Sequence, residues 1–265
     1  MYKLGLKLWS TNVDNYLHEA ERLYADRVYD YIELFIVPET LHTLSAWREL
    51  QLRSGVPFVM HNAHSMKGFN LADPSMQESN LEIYKQTKLF ADTLNATNII
   101  FHGGVGGTID EVARQLKSFN EPRALIENKP YSPLASLNIN ATCRGASFEE
   151  IVYIINETKC GFCLDIGHAV CAANSFGIEP YEYVKKFNSL KPLMYHLSDI
   201  LDMTSQYDAH PHLGSGSLDM KRLCAEVFSN ETMISIETVK NSKTTLEDYL
   251  ADVQHLKSIM ANRSL

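Results

Sequence analysis

Eight times along the chain a short apolar run gives way to a longer amphipathic stretch, and this alternation constrains the fold more than any other feature. The runs are Lys3–Leu8, Tyr31–Ile36, Pro57–Met60, Asn98–Phe101, Ala124–Ile126, Gly161–Leu164, Leu193–Tyr195 and Met233–Ile236. Each is short and rich in Ile, Val, Phe, Leu or Met, as strands buried on both faces should be. Helices are predicted over Asn15–Val28, Ser75–Leu94, Thr108–Ser118, Ser147–Glu157, Tyr181–Asn188, Asp219–Phe228 and Thr245–Met260. Ser147-Phe-Glu-Glu150 has the order of a capping box, and Asp73-Pro74-Ser75 opens the long third helix. No linker, repeat array or low-complexity tract interrupts the series. Eight βα units in 265 residues predict an α/β fold with one closed (β/α)8 barrel over residues 1–265, a fold that typically takes roughly 250 residues. A doubly wound sheet would carry a glycine fingerprint after its first strand, and Leu8-Trp-Ser-Thr-Asn12 has none.

Composition excludes several functional classes. A hydrophobic fraction of 45% argues against a disordered chain, and no apolar run approaches the roughly 18 residues that span a bilayer. Met1 to Trp9 alternates instead of building a signal-peptide core, so a cytoplasmic monomer with no membrane partner is expected. The net charge of −8 opposes a passive nucleic-acid-binding module. It opposes an enzyme less, because metal ions can cancel clustered carboxylates. Cys160-Gly-Phe-Cys163 lacks the second pair of a zinc ribbon and reads as strand, not as the helix start of a redox motif. Its cysteines are expected to be small buried side chains in a reducing compartment.

A barrel of this type carries its chemistry at the C-terminal ends of its strands. Those ends read His61-Asn-Ala-His64, Phe101-His102-Gly, Ile126-Glu127-Asn, Leu164-Asp165-Ile-Gly-His168, Tyr195-His196-Leu-Ser-Asp199 and Ile236-Glu237-Thr, with Glu33 near the end of the second strand. Asp208-Ala-His210-Pro-His212-Leu-Gly-Ser-Gly216 follows the seventh. His, Asp and Glu make up 42 of 265 residues, so one at each of six successive strand mouths exceeds what composition supplies. A lone strand-end histidine or carboxylate is usually structural. Four carboxylates on one rim would repel unless cations held them, and the interleaved histidines make a donor set for zinc or a similar divalent metal, too large for one tetrahedral ion.

These residues resemble the endonuclease IV family of apurinic/apyrimidinic endonucleases, AP endonuclease family 2, within the xylose-isomerase-like TIM barrel superfamily. The resemblance spans nearly the whole chain, and each of the family's nine metal-ligand positions has a matching residue. It implies three zinc ions, with manganese as an alternative. His64, His102 and Glu127 would hold the first, Glu127 bridging to a second held also by Asp165, His196 and Glu237. His168, Asp208 and His210 would hold the third. His64 is preferred at the third strand for its spacing to Asn70-Leu71, with His61 as the alternative. His212 is expected beside the ligands or on the rim. The implied activity is metal-dependent hydrolysis of a phosphodiester, possible on abasic DNA in repair, with Glu127, Asp165 and Glu237 as the catalytic carboxylates. A metal-bridging water would be the nucleophile.

Two features depart from the family. Lys67 stands where family members carry a DNA-inserting aromatic residue, and the loop Phe35–Leu44 lacks the family's arginine. Both put a duplex substrate in doubt, and the loop Asn128–Ala146, with Lys129 and Arg144, is a candidate substrate contact. The alternative is a single-metal sugar or sugar-phosphate isomerase or epimerase of the same superfamily, for which Glu127, Asp165, His196 and Glu237 suffice.

Overall fold

The computed structural model describes residues 2–133, 141–229 and 231–261. Residues 134–140 of the expected substrate loop lie outside them. Eight parallel strands close into a barrel in chain order: β1 (Lys3–Trp9), β2 (Tyr31–Phe35), β3 (Phe58–His61), β4 (Ile99–His102), β5 (Ala124–Glu127), β6 (Gly161–Asp165), β7 (Met194–Leu197) and β8 (Met233–Ile236). Closure is made by β1, which pairs with β2 through Gly5 and Tyr31 and with β8 through Lys3 and Met233. The expected fold class is the observed one.

Around the barrel lie α1 (Val13–Ala25), α2 (Leu44–Ser54), α3 (Gln77–Thr93), α4 (Ile109–Ser118), α5 (Phe148–Thr158), α6 (Ile166–Phe176), α7 (Pro180–Asn188), α8 (Met220–Glu226) and α9 (Glu247–Ala261). Two of these are absent from the sequence-based expectation. Helix α2 buries only Trp47 and Leu50, too few apolar positions for a clear period. Helix α6 buries eight successive residues, Ile166 to Ala173, so it has no polar face for periodicity to reveal. Ser147 caps α5 as expected, accepting from Glu150 N at 3.1 Å, but the Glu150 carboxylate turns to Gly145 N and Arg144 instead of closing the box. Asp73 caps the short 3-10 turn Pro74–Met76 that precedes α3.

Strand alternation sorts the barrel into layers. Leu4, Leu6, Leu8, Ile32 and Leu34 join the main core shared with the helices. Tyr31, Val59, Ile100, Leu125, Cys163 and Met194 form a separate apolar cluster inside the barrel. Gly5 belongs to this layer because a Cβ there would stand 2.4 Å from the Tyr31 ring. The Tyr31 hydroxyl in turn meets Ser235 Oγ at 3.0 Å. Two residues beyond this layer on each strand come Lys7, Glu33, His61, His102, Glu127, Asp165, His196 and Glu237. With a side-chain period of two, all eight share the inward face. An apolar plug thus supports a polar ring at the C-terminal mouth. Cys163 lies in the plug, where burial pushes its thiol up to about 12, and none of the five cysteines forms a disulfide.

Candidate metal centre

Glu127 sits at the middle of the ring. Its Oε2 lies 3.2 Å from His61 Nε2, 3.0 Å from His102 Nε2 and 3.3 Å from His196 Nδ1, and its Oε1 lies 2.9 Å from His168 Nδ1. His196 Nδ1 is also 3.0 Å from Glu237 Oε2 and 3.8 Å from Asp165 Oδ2. On the far side His168 Nε2 is 3.4 Å from Asp208 Oδ2, which is 3.4 Å from His210 Nδ1. His210 holds the left-handed conformation with φ 48°, strain of the kind kept where a side chain must be aimed.

Several nearby residues act as clamps. Asn128 exchanges two hydrogen bonds with the Asp165 backbone, at 2.8 and 2.9 Å, and the Asp165 carboxylate accepts from His168 N at 2.7 Å. Asp199 accepts from the backbone of Gly214, Gly216, Leu218 and Ile200, which shapes the loop bearing Asp208 and His210. Asn70 ties the loop after β3 to Val105 beyond β4, through Val105 N at 3.0 Å and Val105 O at 2.9 Å.

Of the nine expected ligands, His102, Glu127, Asp165, His168, His196, Asp208, His210 and Glu237 converge. At the third strand His61 is the donor that meets His102 and Glu127. His64 stands three residues beyond the strand end, its ring stacked on His102 at 5.6 Å and its Nδ1 accepting from Met66 N. His212 stands apart. Its Nδ1 faces Asp252 Oδ2 at 2.9 Å and its Nε2 faces Asn241 Nδ2 at 3.0 Å, tying its loop to α9.

Sequence reasoning gave no role to Lys7 or Glu33. His196 Nε2 donates to Glu33 Oε2 at 3.0 Å, Glu33 Oε1 meets Lys7 Nζ at 3.2 Å, and Lys7 Nζ meets Glu237 Oε2 at 2.5 Å. Counting two residues on from Gly5 and Tyr31 reaches Lys7 and Glu33, as the same count from Val59 reaches His61, but the inward phase of Gly5 and Tyr31 that starts the count is set by the closed barrel. Lys129, on the loop expected to contact substrate, places Nζ 3.2 Å from His168 Nε2 and 3.7 Å from Glu127 Oε1.

The donors fit divalent ions. His196 Nδ1, Asp208 Oδ2 and His210 Nδ1 are buried without a hydrogen-bond partner among the described residues, and Glu237 Oε2, held by the Lys7 ammonium, stands beside His196 Nδ1. Their mutual distances nevertheless match those between ligands that each stand about 2.0–2.2 Å from one ion. The histidine hydrogen bonds agree. Nε2–H to Glu33 leaves a lone pair on His196 Nδ1, and donation from Nδ1 to the backbone oxygens of Asn62 and Asn128 leaves one on Nε2 of His61 and of His168, where the Lys129 ammonium faces the His168 nitrogen at 3.2 Å. Burial, with the Asp208, Glu127 and Glu237 carboxylates nearby, pushes Asp165 up despite His168. Burial and the Lys129 ammonium push His64 down to about 3. Burial would raise Glu33, but His196 and Lys7 outweigh it and hold the carboxyl at about 2.

Two clefts open onto the centre. One of about 170 Å³ lies over the cluster, lined by His102, Lys129, His168, Tyr207 and Asp208. The other, about 670 Å³, runs across the ends of β1, β3 and β8. They share His64, Met66, His210 and Glu237.

The sequence profile of AP endonuclease family 2, described as xylose isomerase-like TIM barrels, matches residues 22–259. A probable endonuclease 4 from Thermoplasma volcanium is 25% identical over 170 residues, which are 58% of this chain and 58% of that protein. The chain thus spans under two thirds of the curated relative it matches. Among solved structures, a D-tagatose 3-epimerase-like protein superposes with a TM-score of 0.72 at 20% identity, covering 99% of this chain and 100% of that one. The TTHB071 protein from Thermus thermophilus, from a crystal soaked in zinc chloride, gives 0.68 at 19% identity with 98% of both chains covered. At these identities the structural likeness concerns the fold alone.

Proposed function

Because the chain belongs to the xylose isomerase-like TIM barrel family, we propose that its barrel mouth is a multinuclear metal centre that hydrolyses a small phosphodiester. The observation that carries this reading is the surplus of converging donors. A single-ion isomerase needs Glu127, Asp165, His196 and Glu237, yet His61 and His102 flank Glu127 on one side, and His168, Asp208 and His210 form a further group on the other. The three zinc or manganese positions would use His61 or His64 with His102 and Glu127, then Glu127, Asp165, His196 and Glu237, then His168, Asp208 and His210. Bound divalent ions would supply an acidified water and Lewis-acid stabilisation of phosphoryl oxygens.

The protein's own residues prepare the site. Glu127 presents one carboxylate oxygen to His61, His102 and His196 and turns the other toward the Nδ1 side of His168, so it would be the shared acidic ligand at the middle of the cluster. Asp165 and Glu237 complete the anionic floor, and Lys129 offers an ammonium to a phosphoryl oxygen in the smaller cleft. Two clefts meeting over one cluster suit a diester, whose phosphorus carries two substituents. Net charge −8 and Lys67 in the aromatic position favour small diesters over duplex DNA.

A single-metal isomerase or epimerase is the second reading. It is favoured by Lys129, a fixed cation 3.2 Å from a nitrogen of His168 that would face the third ion. Metal analysis of gently purified protein separates the two. Two to three ions per chain are expected, and no more than one would refute the multinuclear centre. One metal-loaded preparation should then be assayed on bis(4-nitrophenyl) phosphate, an abasic duplex and a panel of ketoses. Diester hydrolysis with slow duplex cleavage is expected, and ketose epimerisation with an inert diester would overturn the hydrolase.

A further inference from the structure

The larger cleft has a character of its own. It contains three lysines, Lys7, Lys67 and Lys240, against one carboxylate, Glu237, which Lys7 already engages. Among the described residues, neither Lys67 nor Lys240 has a carboxylate within ion-pair distance. The Lys240 ammonium has a long hydrogen bond to Thr238 O at 3.5 Å. On a chain of net charge −8 this is a local cationic surface. Trp9 stands in the same cleft, 42% exposed, its ring packed on Phe35 at 5.0 Å. Lys67 Nζ lies 5.5 Å from the Trp9 ring centroid. A half-exposed indole with the Lys67 ammonium beside it and Lys240 lining the same cleft offers stacking to a flat ring and charge to an anion attached to it.

We propose that this cleft is a binding subsite for a planar apolar ring bearing a phosphate or carboxylate, which would be one substituent of the ester that reacts at the cluster. The proposal deepens the hydrolase reading by naming the class of that substituent. The ring would lie on Trp9. Lys67, on a flexible four-carbon stem, would turn from the indole face to the anion, and Lys240 would add a second ammonium from the wall of the same cleft. His64, Met66, His210 and Glu237, shared with the smaller cleft, place the subsite next to the reacting group.

The test is binding of phenyl phosphate to the full-length, metal-loaded protein, against inorganic phosphate for charge without a ring and benzyl alcohol for a ring without charge. Trp47 is the only other tryptophan and is fully buried, so a ligand-induced change in indole emission reports Trp9. Phenyl phosphate should change that emission and, by calorimetry, bind at least about 5-fold more tightly than either control, the lower end for stacking on an aromatic side chain. Trp9→Ala should abolish the advantage over inorganic phosphate, and Lys67→Gln or Lys240→Gln should each weaken binding about 2- to 5-fold. Equal affinity for phenyl phosphate and inorganic phosphate, or unchanged binding in Trp9→Ala, would overturn the subsite. Should Trp9→Ala fail to fold, the Lys67→Gln/Lys240→Gln double variant decides, and unchanged phenyl phosphate affinity there refutes the proposal. Binding that depends on Trp9 without diester turnover would sink the hydrolase alone. Diester turnover without such binding would sink the subsite alone.

Discussion

Replacing Glu33 by Gln tests whether the fully buried carboxylate of β2 sets up a metal-binding nitrogen on β7. In the native protein Glu33 Oε2 accepts from His196 Nε2 at 3.0 Å, which fixes the proton on Nε2 and leaves Nδ1 facing Glu127 and Glu237. Glutamine keeps the shape and can still accept through its amide oxygen, so the change removes charge more than volume. A hydrogen bond to a charged group contributes about 1.5–3 kcal/mol and a neutral one about 0.5–1.5, so the substitution costs His196 about 1–2 kcal/mol. At about 1.4 kcal/mol per decade, this predicts zinc binding weakened by roughly 10-fold, at the lower edge of the 10–100-fold typical of outer partners of metal ligands. Lys7 keeps Glu237 as a partner, so the barrel should still fold. The assay is competitive zinc titration against a chromophoric chelator at fixed pH and salt, with thermal unfolding of the metal-free variant to confirm the fold. A folded Glu33→Gln protein binding zinc as tightly as the unchanged chain would refute the reasoning, provided Glu127→Gln loses metal in the same assay.

Glu127→Ala and Asp165→Ala should remove nearly all activity, whereas His212→Ala, which acts on Asp252 and not on the cluster, should retain most of it; steady-state rates on the small diester decide. Comparing His61→Ala with His64→Ala settles the third-strand donor, because the one whose loss lowers bound zinc by about one equivalent is the ligand; the geometry favours His61. Chelation should abolish activity yet leave far-ultraviolet circular dichroism nearly unchanged, since the apolar plug and outer core hold the barrel without metal; collapse of the signal would make the metal structural. For the metal-free protein, Glu33 has a folded-state value of about 2 against an ordinary 4.5, so its stabilisation is present above the ordinary value and is lost as pH falls toward 2. Acid unfolding of the Glu33→Gln variant should therefore show a shallower loss of stability than the unchanged chain across that window.

Much of this protein was legible in the sequence because its information is local. Eight buried parallel strands need eight short apolar runs, and the residues that end them in Phe101-His102, Ile126-Glu127 and Leu164-Asp165 declare the rim without further knowledge of the fold. Helix α6 was not legible, because a helix buried on all sides has no hydrophobic period. The choice between His61 and His64, and the parts played by Lys7 and Glu33, depended on which face of the barrel each strand position occupies. A one-residue shift in that phase exchanges inside for outside, and it is set only when the closed barrel packs Tyr31 over Gly5 and puts the polar ring above the plug. The Lys7–Glu33–His196 chain joins β1, β2 and β7, and the Trp9–Lys67 pair joins the end of β1 to the loop after β3. Side chains so distant in sequence meet only through the curvature of the barrel, so their contacts were decided by tertiary structure.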